Sequence, residues 1–177
     1  MVTANQSLLV DICNKLMSPD ASARSKRPEF ENYHSLIIYL AEIGVAVHEQ
    51  PKKELNITYI LLNLLSKLDL PARENMLNAI ANEVRYPSSY THYFIMFLLH
   101  LMEGSTIQIP FIQEQVFRIL LERQTCSPPV PWGINILFSE LRNNPVYDLP
   151  NKPFVKGIRE IENILMRLKS YDQVKDD

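Results

Sequence analysis

Apolar residues recur at the spacing of a helix face along almost the whole chain. The first segment shows the pattern with Leu9, Ile12, Cys13, Leu16 and Met17, which fall at i, i+3, i+4, i+7 and i+8. This spacing places the side chains on one side of a helix, where they can pack against a neighbouring element. Similar patterns follow over residues 30–47, 57–68, 71–84, 88–102, 110–120, 131–141 and 154–168. The chain therefore predicts about eight helices and no convincing strand.

Helix-breaking or helix-starting residues stand between these segments: Pro51, Asp69 with Pro71, Pro87 with Ser88 or Ser89, Pro110 and Pro131. Proline suits the first turn of a helix, where its missing N–H would have had no partner. Serine is a favoured N-cap, so Ser88 or Ser89 is the expected start of the fifth helix. Phe94 and Ile95 place apolar side chains on two faces of that helix, which predicts a central position.

The connections between the predicted helices are short, which favours antiparallel neighbours in space. We therefore predict an all-α fold, a HEAT-like array of antiparallel helix pairs, with an irregular bundle as the alternative. A chain of this length is expected to form a single domain over residues 1–177. Residues 18–29 are polar and proline-containing and predict a flexible linker, whereas residues 171–177 predict a frayed tail.

Composition narrows the class of protein. Apolar residues make up 46% of the chain and the net charge is −2, so no overall positive field attracts nucleic acid. The N-terminus has no signal-peptide pattern, and no apolar run is long enough to cross a membrane. Cys13 and Cys126 lack metal or redox spacing and are expected to be reduced packing residues. These features favour a soluble intracellular protein.

Catalytic and metal-binding motifs are missing from the sequence. The four histidines, His34, His48, His92 and His100, show no HExxH or other paired ligand spacing. No GxSxG element or glycine-rich oxyanion loop is present. We therefore expect no enzymatic activity, no metal and no cofactor.

The segment RYPSSYTHYF, residues 85–94, concentrates aromatic and hydrogen-bonding side chains. At 100° per residue, Tyr90, Tyr93 and Phe94 share one helix face and His92 points elsewhere. Three interpretations remain open: tyrosines closing the end of a helix pair, a protein-docking patch, or stacking on nucleic acid. Docking is attractive because tyrosine and arginine are enriched at interface hot spots. Nucleic acid is less favoured because basic residues do not alternate with the aromatics.

Two other positions are candidates. Trp132 could stack on a base, although a tryptophan between Pro131 and Gly133 more often packs internally, with its indole N–H on a carbonyl. Arg118 lies four residues from both Glu114 and Glu122, which predicts surface ion pairs worth a few tenths of a kcal/mol.

Four ordered blocks, MLNAIANEVRYPSSYTHYF, IQEQVFRILLER, PPVPWGINILFSELRNNPVY and FVKGIREIENIL, give the chain a family resemblance. They resemble the C-terminal Not homology domain of the scaffold subunit of the CCR-NOT deadenylase complex. Weaker similarity in YHSLIIYLAEIGVAVH and ITYILLNLL extends this to residues 30–168. The family domain is several hundred residues long, and this chain corresponds to its last third. Leu149 and Pro150 stand where the family usually has an aromatic pair, which puts any contact of that pair in question.

The resemblance implies a non-enzymatic helical module that docks the smaller Not subunits, whose extended segments wrap over its surface. It also implies binding of short linear motifs from RNA-binding regulators, support of mRNA deadenylation and translational repression, and a location in the cytoplasm and the nucleus. The expected partner-binding residues are Arg85, Tyr86, Tyr90, His92, Tyr93, Arg118, Glu122, Arg123 and Trp132. The alternative function is RNA binding by a helical repeat, motivated by the arginine–tyrosine cluster and the basic linker.

Overall fold

The structure, a computed structural model, describes residues 30–49, 57–103, 109–126 and 131–173. Within these ranges it contains seven α-helices, two short 3₁₀ helices and no strand. The α-helices are α1 Phe30–Glu49, α2 Ile57–Lys67, α3 Leu70–Glu83, α4 Thr91–Glu103, α5 Ile112–Cys126, α6 Trp132–Asn143 and α7 Arg159–Gln173. The predicted first helix, residues 9–17, and the predicted linker, residues 18–29, lie outside the described residues. No helix in the described part of the chain is long and apolar enough to cross a membrane.

The helices are arranged in two layers. In one layer α1 packs on α3 and α3 packs on α5, while in the other α4 packs on α6. Each of α3, α4 and α5 also contacts the next helix in the chain, and α2 packs on α1. Contacts between next and next-but-one helices are the pattern of a helical repeat array. The predicted all-α, HEAT-like fold is confirmed.

The predicted apolar stripes form the core between these layers. On α2, Leu61, Leu64 and Leu65 are almost fully buried, as their helical spacing requires. Met76 on α3 and Phe94 on α4 are also fully enclosed. Burying a side chain of this size stabilises the fold by about 2 kcal/mol relative to exposure.

One charged side chain, Arg73 on α3, is also part of the core, with 6% of its surface exposed. Its Nε donates to the carbonyl oxygen of Leu65 at 2.9 Å, and its Nη2 donates to that of Leu68 at 3.2 Å. Its Nη1 donates to the Pro110 carbonyl at 2.9 Å and to Gln115 Oε1 at 3.4 Å. Arg73 therefore satisfies the C-terminal carbonyl groups of α2 and joins that helix to the start of α5.

The helix boundaries agree with the local sequence signals in the middle of the chain. The side chain of Asp69 caps α3 by accepting from the Ala72 N–H at 2.9 Å, with Pro71 in the first turn. Pro131 is the N-cap of α6, as predicted. Ser88 contributes to the turn before α4 by accepting from the Tyr90 N–H, but the helix itself begins at Thr91.

The last predicted helix begins later than expected. The pattern predicted a start near Phe154, whereas α7 starts at Arg159, after 3₁₀ helices at Pro145–Tyr147 and Leu149–Asn151. Gly157 lies before it with a φ of 81°, a conformation that interrupts a right-handed helix. Phe154 is still packed, with its ring centroid 5.5 Å from that of Phe117. Its apolar character reflects this packing and not a position in a helix.

Cys126 and the C-terminal tail differ from what the sequence predicted. Cys126 was expected to be a packing residue, but it is exposed because it lies at the C-terminal end of α5. Cys13 lies outside the described residues. Helix α7 extends through Gln173, three residues into the predicted tail, and residues 174–177 are outside the described ranges.

Candidate docking groove

A buried hydroxyl group organises the turn between α3 and α4. Thr91 is the first residue of α4, and its Oγ1 accepts from the Ser88 N–H at 2.9 Å. The same oxygen lies 2.7 Å from the Tyr86 carbonyl oxygen and 3.3 Å from that of Glu83, and can donate to them. These bonds tie the start of α4 to the end of α3 and fix the path of the intervening loop.

The start of α6 is held against the same turn by a close approach of two backbones. A Cβ atom added to Gly133 would lie 2.1 Å from the carbonyl oxygen of Val84 and 2.7 Å from Val84 Cγ1. Only glycine fits at such a distance without a shift of the backbone. Gly133 therefore sets the position of its neighbour Trp132 beside the loop that precedes α4.

This arrangement forms the docking groove, an open channel of about 420 Å³ between α4 and α6. Its walls include His92, Ile95, Met96 and Leu99 of α4, Trp132, Ile136 and Glu140 of α6, the Pro87 and Ser88 loop, Thr91 and Tyr147. Met96 is 53% exposed and Trp132 is 52% exposed. Two large apolar side chains that face solvent from one groove are typical of an interaction surface.

The two helices that form the groove run in the same direction. The start of α6 lies at the loop that precedes α4, through the contact between Gly133 and Val84. At the other end, the 3₁₀ helix that follows α6 packs on α4. The groove therefore has one end at the two helix N-termini and another at the two C-termini.

Tyr147 marks the C-terminal end of the groove. Asn144 holds its 3₁₀ helix by accepting from the Val146 N–H at 3.0 Å, and donates its side-chain amide to Glu140 Oε1 at 2.7 Å. Burial raises the pKa of the Tyr147 phenol above its ordinary value, and the nearby carboxylates of Glu140 and Glu103 raise it further. This end of the groove is therefore acidic.

Of the nine predicted partner-binding residues, His92 and Trp132 line the groove. Interpreting Trp132 as an internal packing residue is wrong, because half of its surface faces solvent and the neighbouring Gly133 makes the tight contact. Tyr86 is 72% exposed in the loop at the N-terminal end of the groove. The guanidinium of Arg85 lies 5.8 Å from the centre of the Tyr86 ring, a cation–π arrangement that orients both side chains.

Tyr90, just before α4, and Tyr93 of α4 are half-buried and pack against the core, whereas His92 is exposed. The Tyr93 hydroxyl lies 3.3 Å from Thr58 Oγ1 of α2, and its ring meets that of Phe94 edge to face at 5.3 Å. Burial raises the pKa of Tyr93, whereas the hydrogen bond with Thr58 lowers it. The predicted division of this aromatic cluster between core and surface is confirmed.

The remaining predicted residues, Arg118, Glu122 and Arg123, lie on the other layer. Together with Glu74 and Asn78 they form a second surface, the polar ridge, across α3 and α5. Arg118 pairs with Glu122 at 3.2 Å, as predicted, and its second partner is Glu74 at 2.7 Å rather than Glu114.

Arg123 Nη2 donates to the carbonyl and side-chain oxygens of Asn78, each at 3.0 Å. Its buried Nε lacks a hydrogen-bond partner among the described residues. Burial lowers the pKa of Arg123, and the nearby charge of Arg85 lowers it further. Both ridge arginines have hydrogen-bond partners within the chain, which weakens the case for a phosphate-binding surface.

The other groove residues were not predicted as partner-binding residues, among them Met96, Ile136 and Tyr147. Met96 and Ile136 lie outside the core stripes of their helices, so an apolar residue on the solvent side was the available signal. Tyr147 belongs to the NPVY segment, whose 3₁₀ conformation gives no periodic pattern. Leu149, where the family usually has an aromatic residue, is buried in the core. In the described part of the chain, no three histidine, cysteine or acidic side chains converge as metal ligands would.

The comparisons with known sequences agree on one family. The sequence model described as "CCR4-Not complex component, Not1" matches residues 3–169. The Caenorhabditis elegans protein "CCR4-NOT transcription complex subunit let-711" is 40% identical over 109 residues, 62% of this chain and 4% of that protein. "General negative regulator of transcription subunit 1" of Schizosaccharomyces pombe is 34% identical over 146 residues, 77% of this chain and 7% of that protein. The chain therefore spans only a small part of the length of these relatives.

Solved structures show the same architecture. The NOT1 superfamily homology domain from Chaetomium thermophilum aligns with a TM-score of 0.69 at 25% identity, covering 93% of this chain and 37% of that one. A Not1 C-terminal domain solved in complex with Not4 aligns with a TM-score of 0.72 at 20% identity, covering 91% of this chain and 34% of that one. The second likeness concerns the fold alone. On the match to residues 3–169, the chain belongs to the Not1 family of CCR4-Not complex components.

Proposed function

We propose that this chain is a non-catalytic docking module that binds the smaller Not subunits of the deadenylase complex through the groove between α4 and α6. The observation that carries the proposal is the exposure of Met96 and Trp132 in one groove. A partner that covers these side chains removes their exposed apolar surface from water, which stabilises the complex. Large side chains of this kind provide most of the binding energy at protein interfaces.

Family membership supports the choice of partners. A protein of the same fold was solved in complex with Not4, which supports binding of a Not subunit here. Short linear motifs of RNA-binding regulators are a second class of partner suited to an apolar groove. In this role the module acts in the cytoplasm and the nucleus and supports mRNA deadenylation and translational repression, while catalysis belongs to other subunits.

The test is the affinity of the purified chain for the smaller Not subunits from the same organism, measured by isothermal titration calorimetry. Replacing Trp132 with Ala should weaken binding about 30-fold, the size expected of a hot-spot residue. Arg118→Ala, an exposed change on the polar ridge, is the matched control and should bind like wild type. Circular dichroism must show unchanged helicity in both variants.

Two results would overturn the proposal: wild-type chain that binds none of the smaller subunits, or folded Trp132→Ala that binds as tightly as wild type. A poly(A) oligonucleotide serves as the second probe in the same series. Binding of this RNA that falls steeply with added salt would favour the RNA-binding alternative. Shortening of the RNA by the chain alone would contradict a non-catalytic role.

A further inference from the structure

The docking groove has opposite electrostatic character at its two ends. At the C-terminal end, Glu140 lines the wall and Glu103 lies close enough to act on the Tyr147 phenol. The hydrogen-bond partner of Glu140 is the neutral amide of Asn144, and Glu103 Oε2 lies 3.6 Å from His100 Nδ1. Because α4 and α6 both end here, the partial negative charge of two helix C-termini adds to these carboxylates.

The other end has the opposite sign. Both helices begin there, so the positive ends of their two dipoles lie at this end. Arg85 is exposed two residues before Pro87 in the groove wall, and His92 lies in the wall itself. Arg85 also acts on Arg123 of the polar ridge, where burial is the larger cause of the lowered pKa and the charge of Arg85 lowers it further.

The length of the groove and the structure of its walls limit the kind of partner segment that can bind in it. From Trp132 to Glu140, at about 1.5 Å per residue, the groove extends about 12 Å, the length of roughly two helical turns. Its walls are helices whose backbone groups are already paired within each helix, so they offer little to the backbone of an extended chain. A helix satisfies its own backbone and presents apolar side chains at i, i+3 or i+4, and i+7.

We propose that the segment entering this groove is an amphipathic helix of about two turns, with basic residues beside Glu140 and acidic residues toward the loop that carries Arg85, at the N-terminal end of the groove. This inference rests on the proposed function and specifies the chemistry of the partner. Its apolar face covers Met96, Trp132 and Ile136. The charged ends fix the direction in which it lies, because the reverse placement brings like charges together.

The experiment measures binding of the same smaller Not subunits to charge variants of the chain at low and high salt. We expect Glu140→Lys to weaken binding about five- to tenfold at low salt, and Glu140→Gln about two- to threefold. Glu160→Lys on α7 makes the same change in net charge at an exposed position outside the groove wall and should have little effect. Cross-linking from positions next to His92 and Glu140 identifies the segment of the subunit that binds in the groove. Circular dichroism of that segment should show a gain of helix when it binds the chain.

The decisive step exchanges charges between the partners. A subunit whose basic residue near Glu140 is changed to Glu should bind Glu140→Lys better than it binds wild type. If Trp132→Ala weakens binding but the Glu140 variants and the exchange have no effect, the docking function stands and the charge inference is wrong. A bound segment that stays extended also overturns the inference. If Trp132→Ala has no effect, the groove is not the docking site and both proposals fail.

Discussion

The docking groove and the polar ridge belong to different layers of one array. Their exposed side chains differ in whether they have partners within the chain. On the ridge, Arg118 has carboxylate partners on two helices, at 2.7 and 3.2 Å. In the groove, Met96 and Trp132 leave about half of their surface in solvent. The ridge therefore uses its side chains to join α3 to α5, whereas the groove leaves apolar surface for another molecule.

This difference shows that charged and aromatic residues in the blocks that resemble the family need not share a role. Exposed ion pairs contribute at most about 1 kcal/mol and are screened by salt, so the ridge offers modest stabilisation. The exposed half of Met96 and of Trp132 contributes nothing to folding, and covering it with a partner stabilises the complex. We therefore expect partner affinity to depend on the groove and folding stability to depend on contacts beneath it.

The largest expected effect is the loss of stability when a buried arginine, rather than an exposed one, is replaced. Replacing Arg73 with Met should lower the free energy of unfolding by about 3 kcal/mol, because carbonyl groups of α2 and Pro110 lose their donor. Urea unfolding followed by circular dichroism measures the change. Arg118→Met on the ridge is the matched control and should cost less than about 0.5 kcal/mol. Equal effects of the two changes would contradict the contrast between buried and exposed contacts.

A second change disrupts the contact between Gly133 and Val84, which holds α6 beside the loop before α4. Gly133→Ala should destabilise the chain by about 2 kcal/mol, since the added Cβ meets the Val84 backbone and forces α6 away from the loop. Gly157→Ala is the comparison variant, because it has open space but a φ of 81° and should cost about 1 kcal/mol. Thermal and urea unfolding measure both. Gly133→Ala with wild-type stability would show that the helices are not held by this contact.

The smallest expected effect concerns the tyrosines that pack against the core. Burial raises the pKa of Tyr93 above its ordinary value of 10.0, so the folded state favours the neutral phenol. Its contribution to stability is complete below that value and is lost as pH rises through the raised pKa. The free energy of unfolding, measured from about pH 8 to about pH 11, should fall less in Tyr93→Phe than in wild type. A steeper fall in the variant would contradict this assignment.

Much of the fold could be predicted from periodic pattern alone. The stripe on α2 and the helix restart at Asp69 and Pro71 depend on neighbours in sequence, and both were predicted correctly. The start of α7 was not, because Phe154 fits a helical spacing but packs from a turn onto Phe117. The spacing of apolar residues predicts well which side chains are buried. It predicts the backbone conformation less well where proline and glycine interrupt the pattern.

The candidate site was harder to predict because it depends on contacts between distant residues. His92 and Trp132 were identified from their residue types, but only the contact of Gly133 with Val84 brings them to one groove. Arg118 was placed in the same group, although Glu74, far away in sequence, engages it on the ridge. Arg73 was missed because nothing in the sequence distinguishes an arginine that caps a neighbouring helix from one in solvent.

The central claim, that the groove between α4 and α6 is the docking surface, can be tested most directly with two methionines. Met96 lies in the groove and Met166 lies on α7, and both are largely exposed, at 53% and 65%. Methyl-labelled methionine gives each a separate NMR signal, assigned by single replacement with leucine. On addition of the smaller Not subunits, the Met96 signal should shift or broaden while that of Met166 stays in place. A shift of Met166 with an unchanged Met96 signal would contradict the account.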